Sequence, residues 1–391
     1  MRILHAIRSV NPEGGGPIEG VRQLGHVNVR RGHTIEVVSL DSPDAPYLRD
    51  FPLRVHALGP GTLKYGFCGA LVPWLRANAQ HYDIVIVNGI WQYHGFAVWR
   101  AFHKSDIPYV VFTHGMLDPW FKSAYPLKHL KKMLYWPWGE YRVLRDARAV
   151  LFTSEEERVL ARQPFRPYAC KEVVVNYGTA GSPNSPETDL NAFYGRFPNL
   201  RNRRVATFLG RLHPKKGCDL LIEAFAAALA KDPDWMLLMC GPDQIGWRNS
   251  LQAMATRLGI GDRITWADMV KNEMKWGAYR ASEVFILPSH QENFGITVAE
   301  ALSCNVPALI SQKVNIWREV EQAGAGITAA DDLAGTCAMM SRWLQMTELE
   351  RLEMRQRARQ CFEEKFEIHR AADTLIHVLQ DVVGHLEPVS V

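Results

Sequence analysis

Pro288-Ser-His-Gln-Glu-Asn-Phe-Gly-Ile-Thr-Val-Ala-Glu-Ala-Leu-Ser303 joins the end of a strand to the start of a helix. Just before it, Val284-Phe-Ile-Leu287 is a short apolar run that reads as a buried strand, and Pro288 ends it at the carboxyl edge of a sheet. Gly295 permits a sharp turn, and Ile296 to Leu302 take up helical spacing. Backbone N–H groups at a helix start are unpaired and partly positive, so an anion such as a phosphate docks there readily. Glu292 precedes the turn and Glu300 lies in the helix, so a strand-turn-helix unit brings both carboxylates towards one crevice. The same residues also suit a helix capped by Asn293 or Thr297 with two solvated acids. The rest of the chain has to separate these readings.

A chain of 391 residues exceeds one small core and points to two domains of ordinary size. With 47% hydrophobic and 22% charged residues the composition is that of a globular protein. The chain has no long apolar run, and Met1-Arg-Ile-Leu-His-Ala-Ile opens directly as a strand, so neither a signal peptide nor a membrane span is expected and the expected location is cytoplasmic. Seven cysteines without Cys-x-x-Cys pairs argue against a disulfide framework or a zinc site. A net charge of +4 is too small to imply nucleic acid.

Working back to the start, short apolar runs alternate with amphipathic stretches at Ile3–Ile7, Thr34–Leu40, Asp83–Asn88, Tyr109–Thr113, Ala149–Phe152 and Val173–Asn176. Alternating strands and helices predict a parallel sheet with helices on both faces. After the first run comes Asn11-Pro-Glu-Gly-Gly-Gly-Pro17, then a helix with apolar Ile18, Val21 and Leu24. The glycines allow close backbone approach to a phosphate, and a merely flexible loop fits them as well. The dinucleotide fingerprint Gly-x-Gly-x-x-Gly is absent. His114-Gly115 stands at a strand end, where ligands of open α/β sheets bind; a histidine there donates to a ligand oxygen or serves as a structural hydrogen bonder. Pro119 to Trp138 is basic and aromatic, with Leu127, Leu130, Leu134, Trp138 and Tyr141 in helical register and Lys128, Lys131 and Lys132 largely off that stripe. It reads either as a segment on an anionic membrane surface or, the favoured reading, as a core-facing helix with a solvated basic face.

Thr179-Ala-Gly-Ser-Pro-Asn-Ser-Pro-Glu187 is rich in turn formers and marks the domain boundary, within a linker over 179–203. A second strand series follows at Val205–Gly210, Met236–Cys240, Arg263–Trp266, Val284–Leu287 and Ala308–Ile310. Its first strand runs into Gly210-Arg-Leu-His-Pro-Lys-Lys-Gly217, so Arg211 and Lys216 lie just past a strand end, where a guanidinium and an ammonium can share a pyrophosphate. Asp232-Pro-Asp234 has the look of a metal motif, but it precedes a strand and falls at the opposite, amino edge. A metal-independent chemistry in which Arg211 and Lys216 replace the ion is expected. From Asp332 onward the chain reads as helical, ending in the apolar Leu375–Val383.

Taken together, the Gly14-Gly15-Gly16 loop, His114-Gly115, Gly210-Arg211…Lys215-Lys216-Gly217, Cys240-Gly241-Pro242 and the Glu292…Glu300 pair in Glu-x7-Glu spacing resemble the retaining glycosyltransferases of family 4 over nearly the whole chain. The resemblance implies the GT-B fold: two Rossmann-like domains with parallel sheets facing across a cleft. These would span residues 1–178 on the acceptor side and 204–366 on the nucleotide-sugar side, with a C-terminal helix, 367–391, crossing back onto the first domain. It implies a hexosyltransferase moving a sugar from a nucleotide diphospho-sugar, a co-substrate with no further cofactor, to a saccharide or lipid-linked acceptor, in cell-surface polysaccharide or glycolipid synthesis. By the same resemblance Arg211 and Lys216 hold the diphosphate, Gly15 or Gly16 approaches it, and Thr297 reaches a phosphate. Glu300 takes the ribose hydroxyls; Glu292 with the amides of Asn293, Phe294 and Gly295 holds the transferred sugar; His114 contacts that sugar and stabilises the transition state. Peripheral contact with anionic membrane through 120–145 is a further expectation. The alternatives are a GT-B epimerase or hydrolase of the nucleotide sugar, and a non-catalytic nucleotide-sugar-binding subunit.

Overall fold

A computed structural model describes residues 1–183 and 185–384. The chain forms two compact units, one of Met1–Gly178 together with the tail from Ile368, the other of Thr179–Glu367.

In the first unit, β1 (Arg2–Ile7), β2 (Thr34–Ser39), β3 (Arg54–Ala57), β4 (Ile84–Asn88), β5 (Tyr109–Phe112), β6 (Ala149–Phe152) and β7 (Glu172–Val174) form one sheet in the order β3-β2-β1-β4-β5-β6-β7, all pairs parallel. A parallel sheet is covered on both faces, which is why its central strands are continuous apolar runs; Ile84, Val85, Ile86 and Val87 are fully buried. The strand order reverses between β1 and β4, so the loops leaving their carboxyl ends diverge and open a crevice.

Helices close the layers. On Gly16–Arg30 the residues Ile18, Val21, Leu24 and Val27 face inward at a spacing of three. The tail helix Ile368–Gly384 buries Ile368, Ala371, Ala372, Leu375, Ile376, Leu379 and Val382, and packs against Gly16–Arg30, where Arg31 pairs with Asp373 at 2.8 Å.

The helix Pro126–Tyr135 corrects the core-facing expectation. Its buried residue is His129, whereas Leu127 and Leu134 are 84% and 73% exposed, and Leu130, Met133 and the following Trp138 are also open to solvent. His129, with half-buried Lys132 and Tyr135, and not the leucine stripe, turns towards the body of the unit. Helical spacing shows that two stripes exist; it does not say which one faces inward.

The second unit carries β8 (Arg204–Leu209), β9 (Trp235–Cys240), β10 (Ile264–Ala267), β11 (Val284–Leu287), β12 (Ala308–Ser311) and β13 (Gly326–Ala329) in the order β10-β9-β8-β11-β12-β13, again all parallel. Its order reverses between β8 and β11. Residues 179–203 are not an extended linker: they contain the helix Pro186–Arg196, which packs on the helix Asn272–Arg280. The packing is close because Gly277 has no Cβ, which would stand 2.3 Å from the Asp189 carbonyl oxygen, and because Arg280 donates to the buried Asp189 carboxylate at 3.0 Å. The described residues between Thr179 and Pro186 are irregular, and the polar face of the helix that follows hides it from periodicity.

Candidate functional site

The switch point of the second sheet gathers the charged motifs. After β8 the chain turns once at Pro214–Lys216 and then, at Gly217, adopts a left-handed φ of 65°. A Cβ on Gly217 would lie 2.2 Å from the Pro288 carbonyl oxygen, so glycine is required by backbone meeting backbone. Gly241, after β9, has the same role: its Cβ would lie 1.8 Å from the Gly210 carbonyl oxygen. The backbone N–H of His290 donates to the Lys215 carbonyl at 2.8 Å.

The acidic loop after β11 is held from its other side. Glu292 donates its N–H to the Lys313 carbonyl at 2.9 Å, and its own carbonyl accepts from Asn315 at 3.0 Å. Phe294 is buried edge-on against Phe366, with ring centres 5.6 Å apart. Gly295, with φ 71°, then starts the helix Ile296–Ser303, and Thr297 sits half-buried on its first turn. A fixed backbone therefore carries the Glu292 side chain, and that side chain forms an ion pair with Lys216.

Burial first, then the like charges of Lys215 and Arg211, push the Lys216 ammonium down to about 7. The Glu292 carboxylate in contact with it pulls the other way. Arg211 is exposed and reaches Gln244 at 3.5 Å. The loop thus presents one sheltered and one open cation beside a helix start, an arrangement suited to an anion bearing more than one charge.

Glu300 is 7% exposed, and each carboxylate oxygen has a protein partner: Oε1 accepts from Lys275 Nζ at 2.7 Å, Oε2 from the Tyr279 hydroxyl at 3.0 Å. A carboxylate oxygen can accept more than one hydrogen bond, so these contacts orient the group and leave it able to take a hydroxyl. Asp232 and Asp234, at the amino edge of the same sheet, pair with Arg204 and Arg203 at 3.3 and 3.2 Å, on the side away from these loops. Among the described residues, no group of three or more metal-ligating side chains gathers.

In the first unit, Gly15 and Gly16 follow β1. Gly15 has φ 84° and ψ −144°, a conformation restricted to glycine, and the space where the Cβ atoms of Gly15 and Gly16 would stand is open. The loop is shaped by Asp41, which accepts from Val10 N–H at 2.9 Å and from the Ser9 and Tyr47 hydroxyls at 2.5 and 2.7 Å. His114 stands after β5 with φ 48°. Its ring stacks on Phe112 and meets Tyr177 edge-on, and Nε2 lies 3.4 Å from the Asn88 side-chain oxygen. This packing, and then His5, push its pKa down to about 3, so the imidazole is neutral and serves as a hydrogen-bonding group rather than a cation.

Sequence reasoning did not single out Glu157, which fixes the His114 turn. Fully enclosed, it accepts from the Thr113 hydroxyl and Gly115 N–H at 2.6 Å each with one oxygen, and from the N–H and hydroxyl of Thr153 at 2.7 Å each with the other. Nor did it find Lys275 and Tyr279, or Asp41. Asp41 had a usable signal, being an acid just past a strand end; Glu157 stands among the acidic residues of an ordinary helix start and has none.

Residues 15–178 match the glycosyl transferase 4-like domain, and residues 196–360 match the glycosyl transferases group 1 domain. A GDP-mannose:cellobiosyl-diphosphopolyprenol alpha-mannosyltransferase from Xanthomonas oryzae pv. oryzae is 23% identical over 98% of this chain and 98% of its own. A D-inositol 3-phosphate glycosyltransferase from Geodermatophilus obscurus is 27% identical over 73% of this chain and 66% of its own. HepE from Anabaena, in complex with UDP, superposes with a TM-score of 0.76 at 18% identity, over 97% of this chain and all of that one. The chain belongs to the family 4 glycosyltransferases of GT-B fold, enzymes that take their sugar from a nucleotide sugar.

Proposed function

We propose that this chain is a retaining, metal-independent hexosyltransferase that passes a sugar from a nucleotide diphospho-sugar to a saccharide or lipid-linked acceptor in the synthesis of a cell-surface polysaccharide or glycolipid. The observation that carries this reading is the Lys216–Glu292 ion pair at the switch point of the second sheet. A cation already partnered by a carboxylate, and surrounded by Lys215 and Arg211, is ready to exchange that carboxylate for a diphosphate. The exchange frees Glu292 to accept from a hydroxyl of the transferred sugar.

Breaking the anomeric C–O bond leaves an oxocarbenium-like centre and sends the bond's electron pair to the diphosphate. Arg211, Lys216 and the helix start at Gly295 meet that growing negative charge, Thr297 reaches a phosphate, and the amides of Asn293, Phe294 and Gly295 join Glu292 in holding the transferred sugar. The acceptor oxygen attacks the same face, and its proton passes to the departing phosphate oxygen, so the reaction needs no separate base. Glu300, oriented by Lys275 and Tyr279, takes the ribose hydroxyls. On the first unit, the open Gly15 and Gly16 turn offers backbone to an anion, and neutral His114 offers a hydrogen bond to a sugar oxygen.

The xanthomonad relative acts, by its name, on a diphosphopolyprenol-linked sugar. That supports a lipid-linked acceptor and, with the exposed leucines of Pro126–Tyr135, work at the inner face of a membrane from the cytoplasm. No described helix is long and apolar enough to cross a membrane.

A thermal-shift screen of UDP-, GDP- and ADP-sugars tests donor binding. Ligand at about a hundred times its dissociation constant adds roughly 2.7 kcal/mol of stability, and no shift with any of them would refute the reading. For the bound donor, the anomeric configuration of the product by NMR tests retention, and unchanged turnover after exhaustive chelation tests metal independence.

A further inference from the structure

The first unit contains a cavity of about 1180 Å³ that none of the donor assignments uses. Five cations line it, Arg8, Lys64, Lys128, Lys131 and Lys132, against one carboxylate, Asp118. Asp118 already accepts from Trp120 N–H at 2.8 Å, and none of the five cations is ion-paired among the described residues. Like charges gathered in one hollow repel one another unless a ligand brings the opposite sign.

The walls between the cations are aromatic and rigid. Trp91 has a left-handed φ of 71°. It is held there by Glu140, a fully buried carboxyl whose Oε1 accepts from Trp91 N–H at 2.7 Å, and by its own ring N–H, which donates to the Met116 carbonyl at 3.1 Å. Lys132 lies over the Trp91 ring, 4.2 Å from its centre. Tyr65 and Tyr135 share a hydroxyl contact of 2.5 Å on another wall. Burial, then Lys128, push the Lys132 ammonium down to about 8, a cost that a bound anion would remove.

Resting on the transferase reading, we infer that this cavity is the acceptor site, and that the acceptor is a lipid-linked sugar diphosphate: Lys128, Lys131 and Lys132 take the diphosphate and the aromatic walls take the groups joined to it. Charge complementarity argues for the diphosphate. The lipid is argued by Leu127 and Leu130, which are exposed and outside the cavity lining on the same helix that supplies the three lysines. One helix thus offers cations to the hollow and a greasy edge to the outside, which is what an amphiphile with an anionic head requires.

Calorimetry on the full chain, with farnesyl diphosphate, farnesol and inorganic pyrophosphate as probes, tests the assignment. Farnesyl diphosphate should bind, and at least about tenfold more tightly than either of the others, because it alone satisfies both the cations and the apolar walls. Lys128→Ala/Lys131→Ala should weaken it by about tenfold or more. Both lysines are exposed, so the variant should keep the wild-type melting temperature, and Lys132→Ala provides a second variant at the cavity itself. Farnesol binding as tightly as farnesyl diphosphate would overturn the diphosphate role. Pyrophosphate binding as tightly would overturn the lipid. Unchanged affinity in both lysine variants, or no binding of farnesyl diphosphate, would overturn the site. The donor's thermal shift should be the same in these variants as in the wild type, so failure of the donor reading and failure of the acceptor site are read separately.

Discussion

His290 donates its backbone N–H to the carbonyl of Lys215 over 2.8 Å, and through that bond the cationic loop after β8 is fastened to the acidic loop after β11. Loops at a switch point are free to splay apart; these two are held together by backbone before any side chain is considered. The Lys216–Glu292 pair therefore forms between two positioned partners, and its loss removes charge without dissolving the loops.

Lys216→Ala is expected to lower transfer about a hundredfold, because one preorganised donor to a leaving anion is worth about 3 kcal/mol of barrier. The melting temperature should fall little, since the loops keep their backbone bonds. Steady-state transfer rates beside a thermal melt check this; wild-type turnover would remove Lys216 from the site.

Gly217 and Gly246 form a matched pair for measuring close approach. Both have left-handed φ, 65° and 71°, but a Cβ at Gly217 meets the Pro288 carbonyl at 2.2 Å while one at Gly246 meets nothing. Gly246→Ala should cost only the conformational term, about 1–2 kcal/mol. Gly217→Ala should cost more than that and also reduce transfer, by displacing the loop that carries Lys216. Urea melts of the two variants give the difference, and equal losses would show that the close approach is easily relieved.

Glu157→Ala leaves the N–H groups of Gly115 and Thr153 without their acceptor in a buried place, at about 1–3 kcal/mol each. A loss of about 3 kcal/mol or more in a urea melt is expected. Hydrogen exchange should show the His114 turn opening first, which a general loss of stability would not single out.

Acid should unsettle the first unit before the second. Burial chiefly holds His5 and His94 down at about 4, and packing holds His114 at about 3, against an ordinary 6.5. Unfolded, these rings take up protons below 6.5; folded, they do not until the lower values are reached. Stability is therefore present above 6.5 and is lost as pH falls from there towards 4. Melting temperatures from pH 7 to pH 4.5 should decline, and His94→Gln, which takes up no proton, should flatten the decline. An unchanged slope would contradict this.

The central strands are legible in the sequence because a parallel sheet buries both faces, and Ile84–Val87 or Phe285–Leu287 can hardly be read otherwise. β3 and β13 escape notice because each stands at a sheet edge with half-buried residues, so neither Arg54–Ala57 nor Gly326–Ala329 forms an apolar run. In the second unit the charged motifs mark the site because they fall at strand ends, a position that sequence does report. What it does not report is pairing: Glu300 reads the same whether it is solvated or bound to Lys275 and Tyr279. The leucine stripe at 127–134 misleads for a related reason, since periodicity identifies faces and only the cavity decides which one turns in. Glu140, fully buried and holding Trp91 in place, belongs with Glu157 as a residue whose role depends on burial alone.

The tail helix Ile368–Gly384 completes the first unit, yet it follows the whole of the second in the chain. The two crossings lie side by side, Thr179 pairing with Glu367 and donating its N–H to the Phe366 carbonyl at 3.0 Å. The second unit is thus a single uninterrupted segment with its ends together, and during synthesis it can finish folding while the first waits with the flank of Gly16–Arg30 uncovered. A chain cut after Glu367 would hold one complete domain and one still exposing the apolar residues that the helix Ile368–Gly384 conceals.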